Sequence, residues 1–129
     1  MLVGSMFAGI AFSWARLGNV HAMSHPVSAF FNVPHGIANA ILLPTIVEYN
    51  AITDRGKYHK IYDYISEEKI AEEMFAPSML VIAIEELNAS LGIPASLREV
   101  GVKEDKFGAM AEDAMKSGNI AVNPRKSNK

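Results

Sequence analysis

Between Met1 and Val47 the chain carries one formal charge, Arg16, and all 14 of its aspartates and glutamates lie from Glu48 onward. A third of a 129-residue polypeptide that is this apolar has to be buried, because taking one large aliphatic or aromatic side chain out of water is worth about 1.5–3 kcal/mol. The run "MLVGSMFAGIAFSWA" is apolar nearly all round, which in a helix means full burial rather than one solvated face. It is too short to cross a bilayer, which takes about 20 apolar residues, and it lacks the basic leader of a secretory signal. The expectation is a core helix over Met1 to Ala15, belonging to a larger protein whose surroundings are partly missing from this chain.

The length fits one domain, residues 1–129, able to bury roughly two-thirds of its unfolded surface. Absence of cysteine rules out a disulfide framework and a thiolate zinc site and fits a reducing, cytoplasmic setting. The net charge of -2 and the lack of a basic patch interleaved with aromatics give no reason to expect nucleic acid.

No segment alternates at period two, so the fold is expected to be an all-α helical bundle. Three zones appear: a buried, histidine-bearing segment at 1–50, solvated amphipathic helices at 51–118 and a loose tail at 119–129. In the first zone, helices are expected from His21 to about Phe31 and through "HGIANAILLPTIVEYN". Asn32 would cap the latter, Pro34 would open it and Pro44 would kink it. In the second zone, a helix is expected in "DRGKYHKIYDYI". Another should open at Ser66, with Pro77 kinking it or starting a fresh one and Gly92 and Pro94 closing it. "PASLREVG" reads as one or two helical turns, and "KEDKFGAMAEDAMKSG" as the last helix.

Three of the four histidines, His21, His25 and His35, fall within 15 residues of nearly pure hydrocarbon. His21 and His25 are four apart and share a helix face, and His35 follows a break from which it could fold back towards them. A divalent metal held by imidazole nitrogens suits this spacing, and so does plain structural burial with satisfied hydrogen bonds. The zinc-protease motif is excluded, because it needs a glutamate after the first histidine and Ala22 stands there. His59 lies among charges on a solvated helix and reads as structural.

The stretch "GNVHAMSHPVSAFFNVPHGIANAILLPTIVEYN" closely resembles the C-terminal signature of the iron-containing (group III) alcohol dehydrogenases. That signature has a glycine and an aliphatic residue, HxxxH followed by proline, a ten-residue step to PHG, then an asparagine and LLP. "LGIPASLREVGVKEDKF" and "AMKSGNIAVNPR" resemble the family's downstream helices, so the likeness covers nearly the whole chain. Departures are Ser28 in place of a common glycine, Thr45 in place of a histidine, and Trp14 and Arg16 in place of smaller residues.

The resemblance implies an NAD(P)-dependent oxidoreductase with an N-terminal α/β dinucleotide domain and an all-helical C-terminal domain. Its catalytic Fe²⁺, or sometimes Zn²⁺, lies in the cleft between them. It makes His21 and His35 metal ligands and turns His25 into a substrate-site residue that helps move the alcohol proton, whereas helix spacing alone would pair His21 with His25. Phe12 would line the substrate and nicotinamide channel. The other two ligands of the family, an Asp and a His four apart, would precede Met1, which accounts for the missing acid. The chain thus reads as a C-terminal piece clipped at both ends, inactive without the nucleotide-binding domain. Its substrate would be a small alcohol or aldehyde, its assembly a homo-oligomer or a complex with a partner chain, with no membrane role. Alternatives are a non-catalytic helical module or split-enzyme subunit docking through its apolar first helix, and a structural domain with core histidines.

Overall fold

The computed structural model describes residues 1–128. Among them the α-helices are α1 Leu2–Ala15, α2 Gly18–Phe31, α3 His35–Asn50, α4 Lys57–Ile65, α5 Pro77–Ser90 and α6 Phe107–Lys116. Short 3-10 turns lie at Ala51–Thr53, Glu72–Met74, Glu104–Lys106 and Ile120–Val122, and no strand occurs among the described residues. The all-α expectation holds.

The centre of the fold is the α2–α3 pair, with α6 packed on α2 and α5 on α3. Ala38, Leu42 and Ile46 form a stripe with a four-residue step along α3, all buried, and Ala22, Pro26 and Val27 line the facing side of α2. Val27, Val33, Ala38, Leu42, Val102 and Met110 make the core, with Phe31, Ile37, Leu97 and Val100 half-buried around it.

The corner between the two helices differs by two roles from the sequence reading. Asn32 does not cap α3; it closes α2 in the left-handed conformation, φ 54° and ψ 29°, with its N–H on the Ser28 carbonyl at 2.9 Å. Asparagine tolerates that region better than other residues with a Cβ. Pro34 is extended and sits at the N-cap, so α3 opens at His35, and it runs unbroken past Pro44 to Asn50.

Helix α1 forms over the expected residues, but the expected burial is not met within this chain: none of its residues is buried, and Leu2 and Trp14 are each 88% exposed. Buried positions of the first zone run only from Asn19 to Ile46. An all-round apolar pattern demands a helix and a cover; α2, α3, α5 and α6 satisfy one another and leave none for α1.

The helix expected from Ser66 is absent. Ser66 ends α4 in an extended conformation, and its hydroxyl donates to the Glu68 carbonyl. The Lys69 ammonium donates to the Asp63 carbonyl. His59 Nε2 donates to the Ile70 carbonyl at 2.6 Å, and Phe75 packs against both His59 and Tyr62. These side chains fold residues 66–76 back onto α4, a local alternative to a helix ladder. His59 thus holds residues 66–76 to α4 through the Ile70 carbonyl and Phe75 rather than standing among solvated charges. Pro77 starts a fresh helix at its first position, and α5 ends in paired bonds from Gly92 to Ala89 and from Ile93 to Asn88 around Gly92 at φ 68°.

The tail is not loose. Asn123 exchanges both amide bonds with Asn50, Nδ2 to Oδ1 at 2.8 Å and back at 3.2 Å, and its Oδ1 also accepts from the Asn19 backbone N–H. Arg125 donates to the Tyr49 carbonyl at 2.9 Å with its guanidinium over the Tyr49 ring, and the Tyr49 hydroxyl donates to the Lys126 carbonyl. Asn19 Nδ2 donates to Ser127 Oγ at 2.7 Å. The segment from Asn119 to Asn128 thus ties the start of α2 to the end of α3; Lys129, the last residue of the expected tail, lies outside the described residues.

Candidate functional site

The α2–α3 corner brings the three histidines together. Their ring centroids are 5.1 Å apart for His21 and His35, 5.3 Å for His25 and His35, and 6.1 Å for His21 and His25. His21 and His25 project from one face of α2 because Ala22, Pro26 and Val27 are committed to the core side. His35, the first residue of α3, is placed against them by the reversal at Asn32 and Pro34.

Asn39 stands at the focus. It follows His35 by one helical turn, and its Nδ2 lies 3.0 Å from His35 Nε2 and 3.2 Å from His21 Nε2. An amide N–H only donates, so both Nε2 atoms accept, and the lone pairs of two imidazoles on different helices converge on one nitrogen. The Asn39 Oδ1 on the other side of the amide is buried without a hydrogen-bond partner.

Burial lowers the His21 pKa below the ordinary imidazole value of 6.5, and the neighbouring His35 and then His25 lower it further. The ring is held in its neutral form at physiological pH, the form that can give a lone pair to a cation. His25 is exposed and opens on a cleft of about 370 Å³ that also touches Ala29, Asp113 and Lys116. Phe12 lies on the exposed helix α1, itself 49% exposed, outside the ring contacts that join the histidines. A larger cleft, about 660 Å³, is at the other end of α3 around Asp54, Arg55 and Tyr58 and includes none of the histidines.

The donor chemistry fits part of a metal site. Two imidazole nitrogens aimed at one point suit Fe²⁺ or Zn²⁺. Yet no group of three histidine, cysteine, aspartate or glutamate side chains among the described residues is arranged to hold an ion alone. The sequence reading singles out the three histidines, which the structure brings together, and does not single out Asn39, which joins two of them. The signal lay in its four-residue spacing from His35, which puts both on one helix face.

An all-helical domain with a three-histidine corner defines a class, and comparison with known proteins names it. This chain belongs to the Fe-containing alcohol dehydrogenase family, the model of whose C-terminal region matches residues 1–129. It is 44% identical over 129 residues to 1,3-propanediol dehydrogenase of Citrobacter freundii, covering 99% of this chain and 33% of that protein. It is 42% identical over 130 residues to lactaldehyde reductase of Escherichia coli (strain K12), covering 98% of this chain and 34% of the relative. The crystal structure of a 1,3-propanediol oxidoreductase superposes with a TM-score of 0.89 at 43% identity, over 96% of this chain and 33% of that one. The chain spans about a third of the length of the curated relatives it matches.

Proposed function

We propose that this chain forms the helical half of the metal site of an NAD(P)-linked alcohol dehydrogenase or aldehyde reductase, working in the cytoplasm on a small alcohol or aldehyde. One observation carries the reading: the Nε2 lone pairs of His21 and His35 converge on the Asn39 amide nitrogen. The family match, with relatives named for 1,3-propanediol and lactaldehyde chemistry, supports it.

When bound, Fe²⁺ or Zn²⁺ would polarise an alcohol oxygen and NAD(P) would take the hydride. This chain's own part is narrower. His21 and His35 offer neutral imidazoles, and the packed α2–α3 corner fixes their approach. His25, exposed beside both rings, takes the alcohol proton and passes it to water. Phe12 lines the substrate channel once α1 is covered.

The family pattern adds an Asp and a His to complete four ligands, so the 129-residue polypeptide should bind metal weakly and catalyse nothing alone. Anaerobic titration with Fe²⁺ or Zn²⁺ tests the ligands. Uptake is expected to fall in His21→Ala and in His35→Ala and to persist in His25→Ala; equal uptake by the wild type and both ligand variants would sink the assignment. Oxidation of ethanol or 1,2-propanediol with NAD by the pure chain would sink the claim of inactivity. The exposure of α1 favours a second reading, in which this helix docks a partner chain that supplies the remaining ligands.

A further inference from the structure

We propose that Asn39 is the positioning residue of the histidine corner. In the metal-free protein it locks His21 and His35 in the tautomer that carries its proton on Nδ1, leaving both Nε2 atoms bare and pointed at one place. The proposal deepens the metal reading above, but its central claim concerns the metal-free chain.

The argument starts from the inventory of the amide. Nδ2 has two hydrogens and no lone pair to share, and both of its neighbours here are imidazole Nε2 atoms, at 3.0 and 3.2 Å. Each bond exists only if that Nε2 is unprotonated, so one amide selects the tautomer of two rings at once. In water, imidazole exchanges freely between its two neutral forms. A ring that must first move its proton off the ligating nitrogen, or rotate, is a poorer ligand than one already set. His25 makes no such bond to Asn39 and provides an internal reference on the same helix.

The position of Asn39 is built rather than accidental. It lies on α3 one turn beyond His35 and is half-buried beside the fully buried Ala38. Its Oδ1 is enclosed with no partner. Turning the amide over would give the rings an acceptor but would bury an unpartnered NH₂, with two donors unmet in place of one acceptor. The buried side of the amide therefore favours the orientation in which the donors face the rings. Because the amide occupies the lone pairs that a cation would use, it has to let go when metal enters.

The test is nitrogen-15 NMR of the imidazoles in the metal-free 129-residue chain at pH 8, followed by addition of Zn²⁺ alone. Nε2 of His21 and of His35 should read as unprotonated acceptors, with His25 mixed. In Asn39→Ala both rings should revert to the mixed pattern of His25. In Asn39→Asp, which keeps the shape but only accepts, the proton should move to Nε2. A merely structural asparagine would change stability in these variants and leave the tautomers alone. Protonated Nε2 atoms in the wild type, or tautomers unchanged in both variants, overturn the proposal. Zn²⁺ should shift the Asn39 side-chain amide together with the two imidazoles; imidazoles that move without the amide overturn it as well. If the tautomers behave as described but Zn²⁺ shifts nothing, the positioning role stands and the metal reading fails.

Discussion

Tyr58 and Asp54 show how single side chains turn the corner after α3. The Asp54 carboxylate accepts the backbone N–H groups of Gly56, Lys57 and Tyr58, and the Tyr58 hydroxyl donates to the Val47 carbonyl at 3.0 Å. Burial first, and the Asp54 charge second, raise the Tyr58 pKa above the ordinary 10.0. The folded chain then holds this proton more tightly than the unfolded chain. The stabilisation is fully present below about pH 10 and is lost as pH rises through the raised value. Tyr58→Phe should lower stability by about 1 kcal/mol at neutral pH and flatten the alkaline loss. Urea unfolding from pH 8 to 11 measures both, and an unchanged slope above pH 10 would refute the assignment. At this scale the histidines were legible in the sequence because their residue type is rare and their spacing short. Asn39 was legible only in part: its relation to His35 is a helix repeat, but its reach to His21 depends on how α2 and α3 cross.

At the scale of elements, the tail carries the clearest prediction. Asn123 ties two helices at once, and Gly18 makes room for it: Gly18 is at φ 63°, and a Cβ there would lie 3.1 Å from Asn123 Oδ1. Asn123→Ala leaves the Asn50 amide and the Asn19 N–H without their partner, so a loss of about 1–3 kcal/mol is expected. Release of the tail should also open Arg125 and Lys126 to trypsin under conditions where the wild type resists, because both residues are now engaged with Tyr49. Equal cleavage of the two proteins would show that the knot does not hold. Nothing periodic in "NIAVNPRKSN" announces this, since pairing of amides some 70 residues apart in sequence leaves no local pattern. The segment 66–76 misled in the opposite way. Ser66 followed by acids is a good helix start, but side-chain bonds to α4, with Phe75 packed on His59 and Tyr62, outcompete a short helix there.

At the scale of the whole molecule the surface is too large for the mass. The chain of 14.1 kDa exposes 8954 Å², whereas a compact monomer of that mass exposes about 6,700 Å². Much of the difference sits on α1, where Leu2, Val3, Met6, Phe7, Ile10 and Trp14 are all more than half exposed. The sequence leads one to expect a buried helix here but cannot say against what, because an all-round apolar pattern has no preferred face. Among the described residues no helix is long and apolar enough to cross a membrane. Covering four of these side chains yields on the order of 6–12 kcal/mol, against a cost of association of about 4–15 kcal/mol. The isolated chain should therefore self-associate weakly, in the micromolar range or above, and more tightly as temperature rises from the cold. Sedimentation velocity across that range should show a concentration-dependent shift that disappears when residues 1–15 are removed. The shortened chain should keep its helices, since α1 contributes no residue to the core. A wild type that stays monomeric throughout would mean that α1 folds onto its own chain in solution, and Phe12 would then have a route to the histidine corner without any partner.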